Sequence, residues 1–491
     1  MKTYIATEET QADIKELVAS INSKISSGGA GGVSPHITVI APSGCTVTAT
    51  NGNTVLTAEE ENGIWQFNIP HLGDWTLTAT KDGHSGTRKI QVTSVTEYKV
   101  SMSHGIRYGY RISKTEGNPA ARVEYLFDAV GLTPAKMNFS NGVFDYGDWG
   151  DKWFVTENKP LMLKSDGTVG YYLDPNNYAL KENGDASDVA NTSYDGNAMA
   201  QIPLVWVKRY EDDSYYYEII SDVQYDEDYH AYAHTRADGT IADFFYHSMF
   251  GASGSATKLR SLSGQSLSQS LTTENQIAGA RANGSKWYIN SWSQRELIRT
   301  LLVLMGKSTD TQSVFGNGNC QSATSASGLL TTGTLKDKGQ FYGYSSNNQQ
   351  VKVFHIEGFW GDQWIRTAGI INSGGKIYAK MTPEGTGYRV TEVTGYTDTG
   401  VATPTASQSF ISSMQCSQYG MIPTAVSGSG STFFCDGMWS NNSQLDYLIA
   451  GAGALDATAV GGAFYFSVDD APAYASWNFG CGLSCEEPGA A

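Results

Sequence analysis

The chain of 491 residues carries 33 lysines and arginines against 49 aspartates and glutamates, a formal net charge of −16. This acidic balance, without a dense Lys/Arg cluster, argues against a nucleic-acid partner. The 54 glycines, the 28 tyrosines and the low charged fraction of 17% are typical of a loop-rich β protein. The length suits roughly three domains.

Targeting signals and disulfides are not expected. The N-terminus lacks a basic segment followed by an apolar run, and no stretch is long and apolar enough to span a bilayer. We therefore expect folding in the cytosol and no membrane insertion. Six cysteines are too few for a disulfide framework. Cys481 and Cys485 form a single Cys-x3-Cys pair without a nearby histidine, so we expect free buried thiols rather than a zinc site.

Residues 10–26 predict an amphipathic helix. A pair resembling a capping box is followed by apolar residues at alternating spacings of four and three, as in a coiled coil: Thr10 and Asp13, then Ile14, Val18, Ile21 and Ile25. Two heptads are too short to hold a helix alone, and a Gly/Ser linker follows it. We expect residues 1–32 to join copies of the chain or to dock it; the alternative is a helix that lies on its own domain.

Residues 33–100 predict an all-β unit. Short strands are expected at 36–40, 46–50, 64–69, 75–80 and 88–92, with turns at Asn51-Gly52 and Asp82-Gly83. Strands of this length and spacing are typical of a small β-sandwich. Segment 73–83 resembles the immunoglobulin-like modules in tail proteins of phages that infect Gram-positive bacteria, which implies a spacer.

Residues 101–491 predict a larger and more irregular α+β body. Strands are expected at 202–208, 215–220 and 351–356. The strongest helical signal begins near residue 290, where Ser293 and Glu296 form a capping box, and ends at Gly306. The Gly- and Ser-rich segments 316–328 and 427–431 predict long loops, which are where binding usually resides.

The C-terminal segment carries the strongest functional signal. Bulky apolar residues and glycine alternate there with small or polar residues, and the first set comprises Phe464, Phe466, Val468, Pro472, Trp477 and Gly480. Strict alternation predicts that this set lies in a core while the other set lies on a surface. A rigid framework with a row of interchangeable surface side chains suits recognition better than catalysis. The alternative is an edge strand with a polar outer face.

Several passages together resemble one family. Segments 202–210, 292–306 and 357–364 are similar to the formylglycine-generating-enzyme type of the C-type lectin fold. Segment 461–484 is similar to the variable region of retroelement-diversified receptor-binding proteins of the phage major-tropism-determinant type. In that family, asparagine positions of a template vary while the framework stays fixed. The corresponding positions, and so the receptor-binding positions that the resemblance implies, are Ala454, Asp456, Ala457, Ala459, Val460, Ser467, Asp469, Asp470, Tyr474, Ser476 and Phe479.

The resemblance implies a multidomain protein of α+β and all-β units: a short coiled-coil helix, an Ig-like β-sandwich and a C-type-lectin-like domain. It implies a homotrimer in the virion, at the tail tip or in a fibre. This homotrimer assembles in the host cytoplasm with other tail and baseplate proteins and binds a bacterial surface protein or glycan. We expect Tyr465, Tyr474 and Phe479 to be contact anchors, and Asp469 and Asp470 to accept hydrogen bonds. No cofactor, metal or catalytic residue is predicted.

Two other functions stay open at this stage. The first is a tail-associated enzyme that degrades glycans or cell wall, because the separation of paired carboxylates is set by the fold. The fold's namesake also uses paired cysteines near its C-terminus, in a neighbourhood comparable to that of Cys481 and Cys485. The second is a structural baseplate or decoration protein, which predicts no adsorption to cells.

Three other clusters have both a structural and a functional interpretation. Trp360 and Trp364 with Asp362 resemble a sugar-stacking platform, but tryptophans of this fold are more often core residues. The acidic run 222–228 lacks the order of a calcium loop and is expected to be a solvated loop. The histidines near it fit metal-ligand spacing loosely, and packing is favoured for His230, His234 and His247.

Overall fold

The computed structural model describes residues 35–487 except 42, 82–83, 103–104 and 383–387. The fold of these residues is mostly β and multidomain, with several antiparallel sheets and few helices. The predicted helix at 10–26 and its linker lie outside the described residues, so their role stays a prediction.

The N-terminal sheets share one core. Their strands are β1 (His36–Ile40), β2 (Thr46–Asn51), β3 (Thr54–Thr57), β4 (Ile64–Asn68), β5 (Gly73–Lys81), β6 (His84–Val92) and β7 (Glu97–Ser101). The sheet orders are β4-β1-β7 and β3-β2-β5-β6. Trp65 and Trp75 are buried between the sheets. All five predicted strands are confirmed. β3 was not predicted because its side chains alternate only between exposed and half-buried.

The body, residues 105–487, contains the remaining strands. In chain order they are β8 (Arg107–Ser113), β9 (Val123–Phe127), β10 (Lys136–Asn138), β11 (Val143–Asp145), β12 (Lys159–Leu163), β13 (Val169–Asp174), β14 (Asn177–Lys181), β15 (Asn197–Pro203), β16 (Trp206–Glu211), β17 (Tyr215–Ser221), β18 (Phe244–Ser248), β19 (Ser253–Ser255), β20 (Lys258–Arg260), β21 (Trp287–Ile289), β22 (Lys352–Val353), β23 (Ile356–Glu357), β24 (Trp364–Ser373), β25 (Lys376–Ala379), β26 (Thr397–Ala402), β27 (Ser409–Phe410), β28 (Ser413–Ser417), β29 (Gly420–Ala425), β30 (Gly437–Ser440), β31 (Leu445–Ala450), β32 (Phe466–Val468), β33 (Phe479–Gly480) and β34 (Leu483–Glu486).

Three sheets organise the body. One has the order β16-β17-β8-β9, and a second, antiparallel throughout, has the order β14-β13-β12-β15-β18-β34-β21. The third has the order β26-β25-β24-β31-β32-β30-β27, with β33 beside β24. The C-terminal segment contributes to two of these sheets, because β32 and β33 belong to the third and β34 to the second.

The helices of the body are α1 (Trp153–Thr156), α2 (Thr273–Arg281), α3 (Trp292–Gly306) and α4 (Thr311–Phe315), with 3-10 turns at Tyr232–His234, Ala326–Gly328 and Thr458–Val460. Helix α3 is buried along almost its whole length. None of the helices within the described ranges has the length and apolar character needed to cross a membrane.

The predicted capping of α3 is wrong by two residues. The capping box is formed by Ser291 and Gln294 instead of Ser293 and Glu296. Glu296 is unavailable as a cap because its carboxylate binds Arg299 at 2.7 Å and accepts the Met421 backbone N–H at 2.8 Å. The helix ends, as predicted, at Gly306, and the following Lys307 takes the left-handed conformation with φ 49°.

Two predicted strands are also wrong. The strand expected at 202–208 is interrupted at Leu204, whose N–H binds the Asp243 carbonyl at 2.9 Å, and the chain passes there from β15 to β16 in another sheet. The strand expected at 351–356 is instead the hairpin β22–β23. Its two turn residues, Phe354 and His355, have φ of 49° and 67°. Continuous apolar runs do not reveal such breaks.

A buried ion network joins α3 to β17. Both terminal guanidinium nitrogens of Arg299, Nη1 and Nη2, bind the Glu218 carboxylate. This carboxylate also accepts hydrogen bonds from Arg209 Nε at 2.6 Å and from the Tyr110 hydroxyl. Burial opposes ionisation of Glu218, but the two guanidinium groups, Arg299 foremost, outweigh it and lower the pKa of this carboxyl to about 2. The network fixes α3 to the first sheet of the body, through residues of β8, β16 and β17.

Candidate functional site

The C-terminal segment 451–482 crosses the third sheet twice before it enters the second. β32 lies between β30, to which it runs parallel, and β31, to which it runs antiparallel. β33 then runs parallel to the start of β24. Because β32 is an interior strand, residues 464–468 are all buried. The predicted alternation of core and surface residues is therefore wrong for this stretch.

The structure divides the predicted receptor-binding positions into two groups. Five have buried side chains and are not on the expected surface: Ala454, Asp456, Val460, Ser467 and Phe479. Six are exposed or half-buried: Ala457, Ala459, Asp469, Asp470, Tyr474 and Ser476. The five buried side chains are not accessible for direct contact with a receptor, because they lie in paired strands or pack against the body. The second group shares one C-terminal surface with the side chains described next.

Aromatic side chains lie at this surface in two packed groups, together here called the aromatic row: Tyr474, Phe479 and Trp364 in one group, and Tyr465 and Trp439 in the other. The ring centroids of Tyr474 and Phe479 are 5.3 Å apart, and those of Phe479 and Trp364 are also 5.3 Å apart, edge to face. Trp439 packs on Tyr465 at 5.3 Å. Exposure increases along the row, from the buried Phe479 to Tyr474, which is 51% exposed. This arrangement gives an exposed anchor a rigid apolar base.

Asp456 connects the two halves of the aromatic row. Its Oδ2 accepts a hydrogen bond from Trp364 Nε1 and another from the Gly453 N–H at 2.9 Å. The nearby Tyr465 hydroxyl favours the ionised form of the same carboxyl, although burial outweighs it. Asp456 is 6% exposed and orients the Trp364 ring.

Arg366 anchors the loop that carries Tyr474. Its guanidinium is fully buried, lies 4.7 Å from the Phe479 ring centroid and donates hydrogen bonds to the Tyr474 carbonyl and, at 2.5 Å, to Thr273 Oγ1. Burial lowers the pKa of Arg366 to about 10, against the opposing influence of Asp470. The loop is thus held by a charged group from the interior strand β24, which limits the mobility of Tyr474.

The carboxylates of this surface are poorly solvated. Burial, reinforced by the neighbouring Asp469, raises the pKa of Asp470 to about 6, and burial also raises the pKa of Asp469, whose carboxylate accepts the Ser467 hydroxyl. Burial raises the pKa of Asp456 to about 6 as well. These groups gain protons more readily than ordinary aspartates, so the charge of the surface depends on pH near neutrality.

The predicted Gly- and Ser-rich loop at 316–328 forms one border of the surface. The Ser322 N–H donates to the Asp456 carbonyl at 2.9 Å, and the Ala323 N–H donates to the Ala454 carbonyl at 2.7 Å. The loop supports the buried predicted positions from outside the C-terminal segment. This explains why Ala454 and Asp456 are covered.

Sequence reasoning missed three residues of this surface. Leu455, 39% exposed, lies between two predicted positions but is not an asparagine position of the family. Trp439 is brought beside the segment by the pairing of β30 with β32. Arg366 reaches it through the pairing of β24 with β33. A leucine among the small and polar residues of the C-terminal segment is a sequence signal, whereas strand pairing across distant segments has none.

The other sequence candidates behave as packing residues. Trp360 is fully buried and donates to the Gly316 carbonyl at 3.0 Å, whereas Trp364 is half-buried in the aromatic row. Burial lowers the pKa values of His234 and His247 to about 4. In the acidic run, Asp226 pairs with Lys208 at 3.2 Å. Across the described residues, no group of three His, Cys, Asp or Glu side chains is arranged to hold a metal ion.

All six cysteines are free and buried, as expected for core thiols. Burial raises the pKa of Cys481 to about 12 and raises the pKa of Cys485 further. A cysteine nucleophile requires the opposite shift, because the thiolate is the reactive form.

Comparisons with known proteins do not assign the chain to a family. A scan against protein-family models finds no match, and a search of curated proteins finds no significant similarity. A functional assignment therefore depends on the geometry of the C-terminal surface.

Proposed function

We propose that the chain is a phage receptor-binding protein of the virion, at the tail tip or in a fibre, that adsorbs to a bacterial surface protein or glycan through its C-terminal surface. The observation that carries the proposal is the aromatic row, which ends in the half-exposed Tyr474. Rigid aromatic side chains supply contact area at low entropic cost and are typical binding anchors. Leu455, Ala457 and Ala459 add small apolar area beside it, and Asp469 and Asp470 add acceptors.

Preorganisation supports binding as the role of this surface. The Tyr474 backbone is fixed by Arg366 and its ring rests on Phe479, so little conformational entropy remains to be lost when a partner binds. The side chains that vary in the resembling family stand on a framework of paired strands. Such a framework tolerates changes at exposed positions without loss of the fold.

The remaining parts fit the same proposal. Residues 33–100 form an Ig-like spacer, residues 101–491 a C-type-lectin-like receptor-binding domain, and residues 1–32 join three copies or dock them to other tail and baseplate proteins. Single sites of modest affinity then act together, because several copies on one virion raise the effective concentration at the cell surface.

Adsorption to cells tests the proposal. The fluorescently labelled protein is mixed with a panel of Gram-positive bacteria, and bound protein is measured by flow cytometry. We expect binding to particular strains, lost in Tyr474→Ala and kept in the control Tyr210→Ala. Tyr210 is a suitable control because it is 40% exposed and stacks on Tyr217 at 4.5 Å in a different sheet.

Three outcomes would contradict the proposal, and they favour two different alternatives. If no strain binds the protein, or if both tyrosine variants bind equally well, a structural baseplate or decoration role is favoured. If purified cell envelopes release soluble fragments, and one carboxylate substitution abolishes that release, the chain is an envelope-degrading enzyme.

A further inference from the structure

A concave site lies in the body, apart from the C-terminal surface. This cleft of about 290 Å³, here called the polar cleft for its hydrogen-bonding side chains, is lined among others by Tyr146, Asn158, Lys159, Tyr172, Gln340 and His355. It lies where α1, the hairpin β13–β14 and segment 340–355 meet. Its volume lies just below the range of typical small-molecule sites, about 300–1,000 Å³. None of its lining residues belongs to segment 451–482.

A continuous hydrogen-bond network forms one wall of the polar cleft. The Tyr146 hydroxyl donates to Gln340 Oε1 at 3.3 Å, and Gln340 Nε2 donates to Asn158 Oδ1 at 2.7 Å. Asn158 Nδ2 donates to the Gln201 carbonyl at 2.9 Å, and the Tyr172 hydroxyl donates to Gln201 Oε1 at 3.3 Å. The amides and hydroxyls are therefore fixed in orientation before any ligand arrives.

This network keeps unused capacity for hydrogen bonds. A carboxamide oxygen accepts two hydrogen bonds and its nitrogen donates two, while a phenolic oxygen both donates and accepts. Asn158 uses one donor and one acceptor position in the network. Gln340 Nε2 uses both of its donors, on Asn158 Oδ1 and the Val155 carbonyl, whereas Gln340 Oε1 uses one of its two acceptor positions. The wall therefore offers donors and acceptors together, which matches a ligand whose groups are also both.

The charges around the polar cleft balance. Burial, followed by the nearby Lys352, lowers the pKa of His355 well below its usual range, so its ring is neutral. Its Nδ1 lies 2.6 Å from the Tyr178 hydroxyl. The ionisable groups at the solvent-exposed rim are Lys159 and Glu182, which have opposite signs. Neither an anionic nor a cationic ligand is favoured by this arrangement.

The turn that brings His355 to the polar cleft is strained. Two-residue hairpin turns with positive φ at both positions usually contain Asn and Gly, whereas here the residues are Phe354 and His355. A left-handed conformation is unfavourable for a residue that carries a side chain. Such strain is characteristic of functional sites, and here it holds a neutral polar ring in the wall of a cleft.

We propose that the polar cleft binds a small, neutral, hydroxyl-rich ligand of the size of a mono- or disaccharide. Its hydroxyl groups bind the Asn158 and Gln340 amides, and an apolar face of its ring packs on the half-buried Tyr172. This site is separate from the C-terminal surface and does not depend on the function proposed for that surface.

Saturation-transfer NMR on the full-length protein tests this inference. The probes are glucose, rhamnose and N-acetylglucosamine as neutral sugars, with glucosamine and glucuronate as cationic and anionic counterparts. We expect saturation transfer to at least one neutral sugar and weaker transfer to both charged sugars. Tyr172→Ala removes the packing face and should weaken binding about tenfold, the ratio expected for the loss of about 1.4 kcal/mol.

The controls separate loss of the site from loss of the fold. Tyr474→Ala, on the C-terminal surface, should leave sugar binding unchanged. If Tyr172→Ala does not fold, Tyr172→Leu replaces the aromatic face with a smaller apolar side chain and should still weaken binding. The inference is overturned if no neutral sugar receives saturation, if a charged sugar binds best, or if a folded Tyr172 variant binds as the wild type does.

Discussion

The indole Nε1 of Trp364 donates a hydrogen bond to Oδ2 of the buried Asp456 carboxylate. The same oxygen accepts the Gly453 N–H at 2.9 Å. Trp364 begins the interior strand β24, whereas Asp456 belongs to the C-terminal segment, so this one oxygen ties the segment to the framework. Because both donors share one oxygen, an asparagine at position 456 can accept both bonds with its Oδ1.

We therefore predict that Asp456→Asn stabilises the protein at neutral and alkaline pH. The folded-state pKa of Asp456, about 6, lies above the ordinary value of 3.8. The folded carboxyl therefore binds more protons than the unfolded one between these values, and wild-type stability falls as the pH rises through this window. The variant should be more stable by about 3 kcal/mol at about pH 8, with a difference that vanishes toward about pH 4.

Urea denaturation at a series of pH values measures this difference. Asp398→Asn is the control, because hydrogen bonds from the Gly400 N–H and from Lys376 lower the pKa of that carboxyl. The control should show no gain in stability at alkaline pH. A destabilised Asp456→Asn at about pH 8 would show that ionisation of Asp456 is favourable in the folded protein.

Arg366→Met is predicted to weaken both stability and adsorption. It removes charged hydrogen bonds to the Tyr474 carbonyl and to Thr273. A hydrogen bond to a charged group contributes about 1.5–3 kcal/mol, so the free energy of unfolding should fall by at least about 2 kcal/mol. The surface variant Arg389→Met loses only an ion pair with Glu392, 53% and 46% exposed, and should change stability by less than about 1 kcal/mol. Equal effects of the two variants in urea denaturation would contradict the anchoring role of Arg366.

Glu218→Gln should destabilise the protein most strongly near neutral pH. Removing one partner of a buried ion pair costs about 3–5 kcal/mol, because Arg209 then lacks a counter-charge and Arg299 keeps only Glu296. The pKa of Glu218 is lowered from 4.5 to about 2, so its contribution is complete above the unfolded value and is lost as the pH falls through the folded value. The difference in the free energy of unfolding between variant and wild type should narrow as the pH falls from 4.5 to about 2. Glu124→Gln breaks a half-exposed pair with Arg111 and serves as the control, with an expected effect below about 1 kcal/mol.

The cysteines should resist alkylation in the native state. All six thiols are buried, and burial raises the pKa values of Cys416, Cys435, Cys481 and Cys485, among others. Iodoacetamide at neutral pH, followed by mass spectrometry, should modify none of them in the folded protein and all of them in denaturant. Rapid native modification of Cys481 or Cys485 would instead revive a catalytic role for this pair.

The sequence predicted the first sheets well and the C-terminal surface only in part. Strands such as β2 and β5 bury one face, so alternation reveals them. β32 is covered on both faces, and its alternation of Ser467 with apolar neighbours therefore says nothing about exposure. Likewise, Ser293 and Glu296 have the spacing of a capping box, but Glu296 is drawn into the ion network instead. Trp439 and Arg366 join the surface through strand pairing, which one sequence does not specify.

The position of β34 has a consequence for chains that are truncated within segment 451–482. This strand follows the segment in the chain, yet it fills an interior place between β18 and β21. A frameshift or stop codon within the segment removes β34 and leaves two sheet edges open, which invites aggregation. Amino-acid replacements at exposed positions keep β34 and the fold. A chain that lacks β34 is therefore expected to aggregate, and it does not compete with the full-length protein in solution.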